Sequence, residues 1–277
     1  MKPSPDLDKH VLYSAAVQST DVDLDFFERI YRKHRGERFR RLREDFCGTA
    51  ALACDWVRRR SENRAWGIDL DGTTLAWGRR NYVRRLGAAK SRLQLIRGNV
   101  LEVETPEVDV VCALNFSYFV FQRRADLLRY LRAALRTLRR GGLLFLDAYG
   151  GTEAICAERE TRRIAPCKAF DGTRVPAFTY VWEQASYNPV DHRTVCHIDF
   201  RVHQNGRLRI LRRAFTYDWR LWTLPELQEL LTESGFASTE IYLDGWDEDE
   251  KEGDGIYRRR VRFENQASWV AYVVGLT

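Results

Sequence analysis

The stretch Leu42-Arg-Glu-Asp-Phe-Cys-Gly-Thr-Ala50 and the segment Ala65-Trp-Gly-Ile-Asp-Leu-Asp71 decide the fold of this chain. A short strand leads into a turn at Gly48, an apolar helix follows, and a second strand ends on Asp69. In a strand–turn–helix–strand unit, the first turn brings backbone close to a ligand and the acid after the second strand meets a ribose diol. The pattern therefore predicts a nucleoside site and leaves the identity of the nucleoside open.

Strands and helices alternate along the following hundred residues. The apolar periodicities predict strands at 41–45, 64–69, 93–97, 108–114 and 143–147, and helices at 49–60, 72–87 and 124–139. The strands at 108–114 and 143–147 are almost continuous apolar runs, as in strands buried on both faces of a parallel sheet. The alternation predicts a doubly wound α/β core with right-handed crossovers.

The segments on either side of this alternation have other patterns. Residues 7–40 are predicted to be helical, with Asp23 or Asp25 as an N-cap, an inward face of Phe26, Phe27, Ile30 and Tyr31, and an end at Gly36. Three strands between about 151 and 220, separated by turn residues, predict an antiparallel insertion. A helix at 223–234 with Thr223 as N-cap and Gly235 as its stop, and strands at 238–243 and 268–275, complete the pattern.

These segments divide the chain into four predicted parts. They are an N-terminal helical cap at 1–40, a nucleoside-binding core at 41–150, an antiparallel insertion at 151–220 and a C-terminal part of the core at 221–277. The acidic and glycine-rich stretch 244–255 is predicted to be a mobile surface loop.

Composition restricts the class of protein. The chain has 277 residues and a net charge of +6, and it contains no apolar run long enough to span a membrane. The N-terminus lacks the apolar core of a signal peptide, so we expect a cytoplasmic protein without a membrane partner. Six cysteines without a Cys-x-x-Cys pair favour reduced thiols over disulfides or zinc, and no metal is predicted. The many arginines are better explained as solvated helix ends and loops than as phosphate contacts, so no nucleic-acid partner is expected.

Five segments, in order, resemble the motifs of class I S-adenosylmethionine-dependent methyltransferases. They are Leu42–Ala50, Gly67–Asp71, Ile96–Val100, Leu114–Phe119 and Leu138–Phe145. The resemblance implies a Rossmann-like, seven-stranded, mostly parallel sheet and S-adenosyl-L-methionine as cofactor. The first motif of the family usually has three glycines; here Phe46 and Ala50 stand at two of those positions and only Gly48 remains.

The resemblance also implies which residues meet the cofactor. Asp69 matches the ribose-binding acid, Glu44 the acid near the methionine amino group, and Asn99 replaces the usual Asp at the adenine. Two structural alternatives stay open: Asp69 as the cap of the helix at 72–87, and Glu44 as a partner of Arg41 or Arg43. The complete set of implied cofactor contacts is Glu44, Phe46, Gly48, Asp69, Leu70, Asn99, Val100, Asn115 and, from the N-terminal segment, Tyr13.

The insertion matches in position the one that covers the active site in small-molecule members such as glycine N-methyltransferase and the amino-sugar N-methyltransferases. This likeness implies a small-molecule acceptor, methylated on N or O by in-line displacement. The predicted substrate contacts are Tyr118, Tyr217, Trp219, Arg220 and Trp222. A base is needed only if the nucleophile arrives protonated, and His197 and Tyr118 are the candidates.

The sequence leaves three other functions open. They are a macromolecular (RNA or protein) methyltransferase, a dinucleotide oxidoreductase, and a nucleotide-binding module without catalysis. The Asn/Asp-Pro-Pro-Tyr/Phe sequence of many enzymes that methylate nucleic acids and proteins is absent from the fourth motif. The oligomeric state is undecided, with a homodimer as one alternative.

Overall fold

The computed structural model contains an eight-stranded sheet, which the alternation of strands and helices produces, a four-stranded sheet and two two-stranded sheets. The structure describes residues 8–169, 172, 174–204, 206–244, 246–247, 252–253 and 255–277. The α-helices in this part of the chain are α1 Lys9–Val17, α2 Thr20–Arg35, α3 Ala51–Arg59, α4 Gly72–Asn81, α5 Arg124–Thr137 and α6 Leu224–Ser234.

The strands are numbered β1 to β16 in chain order. They are β1 Arg41–Asp45, β2 Arg64–Asp69, β3 Leu93–Arg97, β4 Val108–Ala113, β5 Leu138–Gly150, β6 Glu158–Ile164, β7 Cys167–Lys168, β8 Arg174–Val175, β9 Phe178–Tyr187, β10 Arg193–Gln204, β11 Arg207–Arg220, β12 Ser238–Leu243, β13 Trp246–Asp247, β14 Glu252–Gly253, β15 Arg258–Arg259 and β16 Trp269–Leu276.

The chain divides into two compact units, which are described separately. The core unit comprises Thr20–Ile155 and Arg220–Thr277, and the insertion unit comprises residues 8–19 and Cys156–Trp219. Helix α1 therefore belongs to the insertion unit and α2 to the core unit. No helix in the described part of the chain has the length and apolar character needed to cross a membrane.

The core unit is built on a sheet with the strand order β15-β12-β16-β5-β4-β1-β2-β3. Strands β1 to β5 pair in parallel, and β16 runs antiparallel to both β5 and β12. The predicted mostly parallel, doubly wound sheet is confirmed, and the two-residue strand β15 adds an eighth strand at one edge. The winding direction reverses between β1 and β4, and ligands of open α/β sheets bind beyond the carboxyl ends of the strands at such a reversal.

Apolar burial explains why these segments form the sheet. Every residue of β4 is buried, as the continuous apolar run predicts. Helix α2 packs on the sheet through Phe27, whose ring stacks on Phe145 with centroids 4.2 Å apart. Helix α3 buries Trp56 against Phe39, with ring centroids 4.0 Å apart.

Several predicted boundaries differ from the structure. Helix α2 begins at Thr20, so Asp23 and Asp25 lie inside the helix instead of capping it, although Gly36 ends the helix as predicted with a φ of 72°. The predicted helix at 72–87 stops at Asn81 and continues as two short 3-10 segments, Val83–Arg85 and Gly87–Arg92. Helix α6 matches its prediction: Thr223 and Glu226 form a reciprocal capping box, and Gly235 ends the helix.

The insertion unit contains an antiparallel sheet with the order β11-β10-β9-β6. Its apolar cluster gathers around Leu12 of α1, which contributes to a core with Phe178, Ile198, Phe200 and Val202. Strand β6 was not predicted, because six of its seven residues are exposed and the strand therefore shows no apolar alternation. Half of the predicted loop at 244–255 lies outside the described residues, and its mobility stays a prediction.

Candidate active site

The turn after β1 has a left-handed backbone of the kind that glycine favours, although Gly48 is the only glycine in it. Phe46, Gly48 and Ala50 all have left-handed conformations, with φ values of 55°, 53° and 60°. Glycine adopts this region freely, whereas other residues pay about 1–2 kcal/mol each. Phe46 and Ala50 therefore hold the conformation expected of the two absent glycines, at a cost in conformational strain.

Aromatic packing holds the Phe46 side chain. Its ring lies edge-on to Phe121 and Tyr130, with centroids 5.9 and 5.6 Å away. The Tyr130 hydroxyl in turn donates to Oδ2 of Asp45 at 3.1 Å. Such aromatic contacts contribute roughly 0.5–1.5 kcal/mol each beyond burial, enough to offset the strain of the left-handed backbone.

Asp69 joins the turn after β1 to the loop after β2. Its Oδ2 accepts from the backbone N–H of Gly48 at 2.7 Å, and its Oδ1 accepts from the N–H of Asp71 at 2.8 Å. The cap of α4 is Asp71, which accepts from Thr73 and Thr74. Asp69 is therefore not the cap of α4, which was the structural alternative to its ribose role. The side chain of the neighbouring Leu70 is exposed.

Glu44 provides the cap that α3 lacks. The N-cap position is Ala50, which has no capping side chain, and Oε2 of Glu44 accepts from the N–H of Ala53 at 2.9 Å. Burial raises the pKa of Glu44 to about 8. Glu44 does not pair with Arg43, the local alternative to its cofactor role, because Nε of Arg43 donates to Oδ1 of Asp45 at 2.7 Å.

The loop after β3 holds the two residues implied for the adenine. Oδ1 of Asn99 accepts from the N–H of Leu101 at 3.1 Å, which fixes the side chain in a local turn. Val100 is buried, and its carbonyl accepts from the Arg43 guanidinium at 3.2 Å.

The turn after β4 depends on an acid that sequence reasoning missed. Asn115 and Phe116 are both left-handed, with φ values of 55° and 58°. Their N–H groups donate to the two carboxylate oxygens of Asp147, at 2.7 and 2.9 Å. The sequence pattern predicts Asp147 only as the last residue of the strand at 143–147, although an acid at the end of a buried strand is the same signal that indicates Asp69.

Four acids thus gather at the carboxyl edge of the core sheet or on α2 beside it. They are Asp23, Glu44, Asp69 and Asp147, and burial is the largest cause that raises the pKa of each. Burial brings the pKa of Asp23 to about 6 and that of Asp147 to about 7. Among the described residues, none of the recorded ion pairs joins these four acids to a basic side chain.

The sequence from the end of β1 through most of β5 matches a known family. Residues 45–146 match the family described as a methyltransferase domain. This chain carries a methyltransferase domain. The domain spans the turns after β1, β2, β3 and β4, which hold most of the implied cofactor contacts of the methyltransferase.

Solved structures share the fold of the methyltransferase at low identity. An S-adenosylmethionine-dependent methyltransferase from Clostridium acetobutylicum is 14% identical, with 95% of each chain covered and a TM-score of 0.66. CalS10, an amino pentose methyltransferase from Micromonospora echinaspora solved with S-adenosylmethionine bound, is 16% identical, with 95% of each chain covered and a TM-score of 0.65. KedS8, a sugar N-methyltransferase from Streptoalloteichus, is 17% identical, with 98% of this chain and 94% of that chain covered and a TM-score of 0.63. No curated protein matches the sequence significantly.

The carboxyl edge of the core sheet fits the cofactor of this class. The methyltransferase uses S-adenosylmethionine, which carries a positive sulfonium and a positive ammonium group. Buried acids without a basic partner are costly on their own and favour a cation beside them. Within the described core, Glu44 and Asp147 are buried acids of this kind, and Asp23 and Asp69 beside them are half-buried.

Two predicted residues of the core unit are buried too deeply for the roles implied for them. The Tyr118 side chain is fully buried, and its hydroxyl donates to the carbonyl of Asp147 at 2.8 Å. Burial raises the pKa of Tyr118 well above its usual value, which argues against a base. Trp222 is 1% exposed and donates through Nε1 to the carbonyl of Phe121, so it packs the core and does not offer its ring to a substrate.

Arg220 stays closer to the surface of the core unit. Its guanidinium lies 3.8 Å from the Trp222 ring centroid and donates to Glu226 at 2.8 Å. A second donation reaches the carbonyl of Gln122, in the segment after β4, at 3.3 Å. Arg220, the last residue of β11, is therefore fixed to the segment that joins β4 to α5.

The remaining candidates belong to the insertion unit. Tyr217 and Trp219 stack with centroids 4.2 Å apart, and the hydroxyls of Tyr13 and Tyr217 share a hydrogen bond. His197 is buried, with Nδ1 at 3.0 Å from the Thr216 hydroxyl. The insertion unit thus brings Tyr13, Tyr217 and Trp219 together on an aromatic face and places His197 in a polar pair.

Proposed function

We propose that this methyltransferase transfers a methyl group to an N or O nucleophile of a small molecule. The observation that carries the proposal is the group of acids at the carboxyl edge of the core sheet and beside it, of which Glu44 and Asp147 are buried. Among the described residues, no ion pair joins them to a basic side chain. These acids complement a cationic methyl donor at the point where the sheet winding reverses. When bound, S-adenosylmethionine would supply the methyl group: the lone pair of the acceptor would bond to the methyl carbon in line as the methyl–sulfur bond breaks, with S-adenosylhomocysteine as the leaving group.

The proposed cofactor contacts follow the turns of the core unit. Asp69 binds the ribose diol, Glu44 and Asp23 attract the methionine ammonium, and Asn99 meets the adenine. Gly48, whose N–H is held by Asp69, keeps the first turn close to the ligand. The other contacts proposed for the cofactor are Phe46, Leu70, Val100, Asn115 and Tyr13.

The insertion supports a small acceptor over a macromolecular one. We propose that the segment 151–220 serves as the substrate lid and that Tyr217, Trp219 and Arg220 contact the acceptor. The names of similar structures, an amino pentose methyltransferase and a sugar N-methyltransferase, favour an acceptor of this size. We further propose a cytoplasmic enzyme, because Cys47, Cys54 and Cys112 are buried thiols, as in a reducing compartment.

An acceptor screen tests the proposal. The purified enzyme is incubated with S-adenosylmethionine and separate panels of amino sugars, other amines, phenols and carboxylates, with transfer RNA and a protein mixture as further arms. Release of S-adenosylhomocysteine, together with a gain of one CH₂ in the acceptor mass, is expected in a small-molecule arm. Methylation confined to the RNA or protein arm would overturn the small-molecule assignment, and cofactor binding without turnover in any arm would favour a non-catalytic module.

A further inference from the structure

A buried carboxylate in β5 holds the turn that follows β4. Oδ2 of Asp147 accepts from the N–H of Asn115 at 2.7 Å, and Oδ1 accepts from the N–H of Phe116 at 2.9 Å. The carbonyl of Asp147 also accepts from the Tyr118 hydroxyl at 2.8 Å. One residue of β5 therefore holds Asn115, Phe116 and Tyr118 in the segment after β4.

The backbone conformation of the 115–116 turn needs stabilising contacts. Asn115 and Phe116 are consecutive left-handed residues and neither is glycine, so the conformation costs energy, chiefly at Phe116 because asparagine tolerates this region better. Strained backbone of this kind persists only where surrounding contacts hold it, and it concentrates at functional sites. Two charge-assisted hydrogen bonds from one carboxylate are a strong restraint of that sort.

The turn that Asp147 holds lies beside the expected ligand crevice. The sheet winding reverses between β1 and β4, so the turns after these two strands flank the ligand crevice. Asn115 is a proposed cofactor contact, and its backbone N–H donates to Oδ2 of Asp147. Asp147 is therefore linked to that contact through the turn that its carboxylate holds.

We propose that Asp147 is a positioning residue for methyl transfer, whose carboxylate holds the 115–116 turn so that Asn115 meets the cofactor. This inference rests on the proposed function. It adds a residue that lies just beyond the matched domain and outside the motifs that carried the family resemblance.

The chain offers a matched control at the opposite edge of the sheet. Asp109, near the amino end of β4, is also buried, and its Oδ2 accepts from the N–H groups of Arg40 and Arg41 at 2.6 and 2.9 Å. Asp109→Asn and Asp147→Asn each weaken a carboxylate anchor of two backbone N–H groups, and Asp109→Asn also weakens the ion pair between Oδ1 and Nε of Arg139 at 2.6 Å. Only Asp147 lies at the carboxyl edge, where the cofactor binds.

The test is a double-mutant cycle on the full chain. Calorimetric titration gives the Kd of S-adenosylmethionine for wild type, Asp147→Asn, Asn115→Gly and the double variant; glycine removes the side chain and tolerates the left-handed backbone. We expect each single change to raise Kd at least fivefold, the double variant to match Asp147→Asn within twofold, and Asp109→Asn to stay within twofold of wild type. If the increase in Kd of the double variant equalled the product of the two single increases, the two residues would act independently and the proposal would be overturned. A similar increase in Kd in Asp109→Asn would also overturn it.

Kinetics separate positioning from loss of folded protein. With an acceptor from the screen, Asp147→Asn is expected to raise the KM for S-adenosylmethionine at least fivefold and to leave the KM for the acceptor within twofold. A merely structural role would reduce the active fraction, and hence the apparent kcat, with both KM values unchanged. If no acceptor is found, the small-molecule assignment fails while the binding cycle still decides the role of Asp147.

Amide exchange covers the case in which Asp147→Asn does not fold. In wild type, the N–H groups of Asn115 and Phe116 are expected to exchange at least a hundredfold more slowly than in an unstructured peptide, although they lie outside helices and strands. Exchange at the unprotected rate would show that the carboxylate does not hold the turn, and it would overturn the proposal.

Discussion

Glu44 accepts a hydrogen bond from the backbone N–H of Ala53 at 2.9 Å, so the acid in β1 caps the helix that follows its own strand. The contact places a carboxylate at the positive end of the helix dipole. Its burial nevertheless makes the charged form costly. A cationic ligand beside Glu44 would lower that cost.

The raised pKa of Glu44 predicts a dependence of stability on pH. Its folded-state pKa is about 8 against an ordinary 4.5, with burial as the main cause and nearby Asp69, Asp23 and Asp45 adding to it. The contribution to stability is therefore complete below about pH 4.5 and is lost as the pH rises through 8. Glu44→Gln removes this loss, so its unfolding free energy relative to wild type should increase with pH up to about pH 8, by of the order of 1 kcal/mol per pH unit, and level off above it.

Urea unfolding of the cofactor-free protein between pH 6 and 9 measures this difference. The exposed Glu62→Gln is the control, and its difference from wild type should vary little over the same interval. A Glu44→Gln difference that does not change with pH would show that Glu44 is ionised throughout.

Asp69 and Asp71 form a second matched pair. Asp69→Ala removes the proposed ribose contact and the acceptor of the Gly48 N–H, so we expect S-adenosylmethionine to bind at least tenfold more weakly. Asp71→Ala removes the cap of α4, which should cost about 1 kcal/mol of stability and leave the affinity within threefold. Calorimetry and urea unfolding measure the two effects, and equal losses of affinity in both variants would remove the distinct role of Asp69.

The strain at Ala50 gives a prediction in the stabilising direction. Ala50 is the left-handed N-cap of α3, and glycine suits both that backbone and that position better than alanine. We expect Ala50→Gly to raise the unfolding free energy by about 1 kcal/mol. The control, Ala51→Gly in the first turn of the same helix, should lower it by about 0.5–1 kcal/mol; destabilisation by Ala50→Gly would contradict the account of the turn.

The sequence was most informative where burial imposes a pattern. The apolar runs of β4 and β5 and the capping residues Thr223 and Gly235 identified their elements directly, because buried strands and helix ends require those residue types. Strand β6 could not be predicted in this way, since its exposed polar residues show no alternation.

The candidate site was predictable to a smaller extent. Asp69 and Gly48 were found because an acid after a strand and a glycine in a turn have local signatures. The left-handed Phe46 and Ala50, and the hold of Asp147 on Asn115, depend on tertiary contacts between separate strands and leave no local signature. The burial of Tyr118 and Trp222 likewise follows from packing that short-range patterns do not encode.

Calorimetric titration of the full chain with S-adenosylmethionine, S-adenosylhomocysteine and NAD tests the central claim most directly. The acidic carboxyl edge and the matched domain predict that both S-adenosyl compounds bind with a Kd below 1 mM, roughly −4 kcal/mol or better, and that NAD does not. Binding of NAD with neither S-adenosyl compound bound would contradict the account.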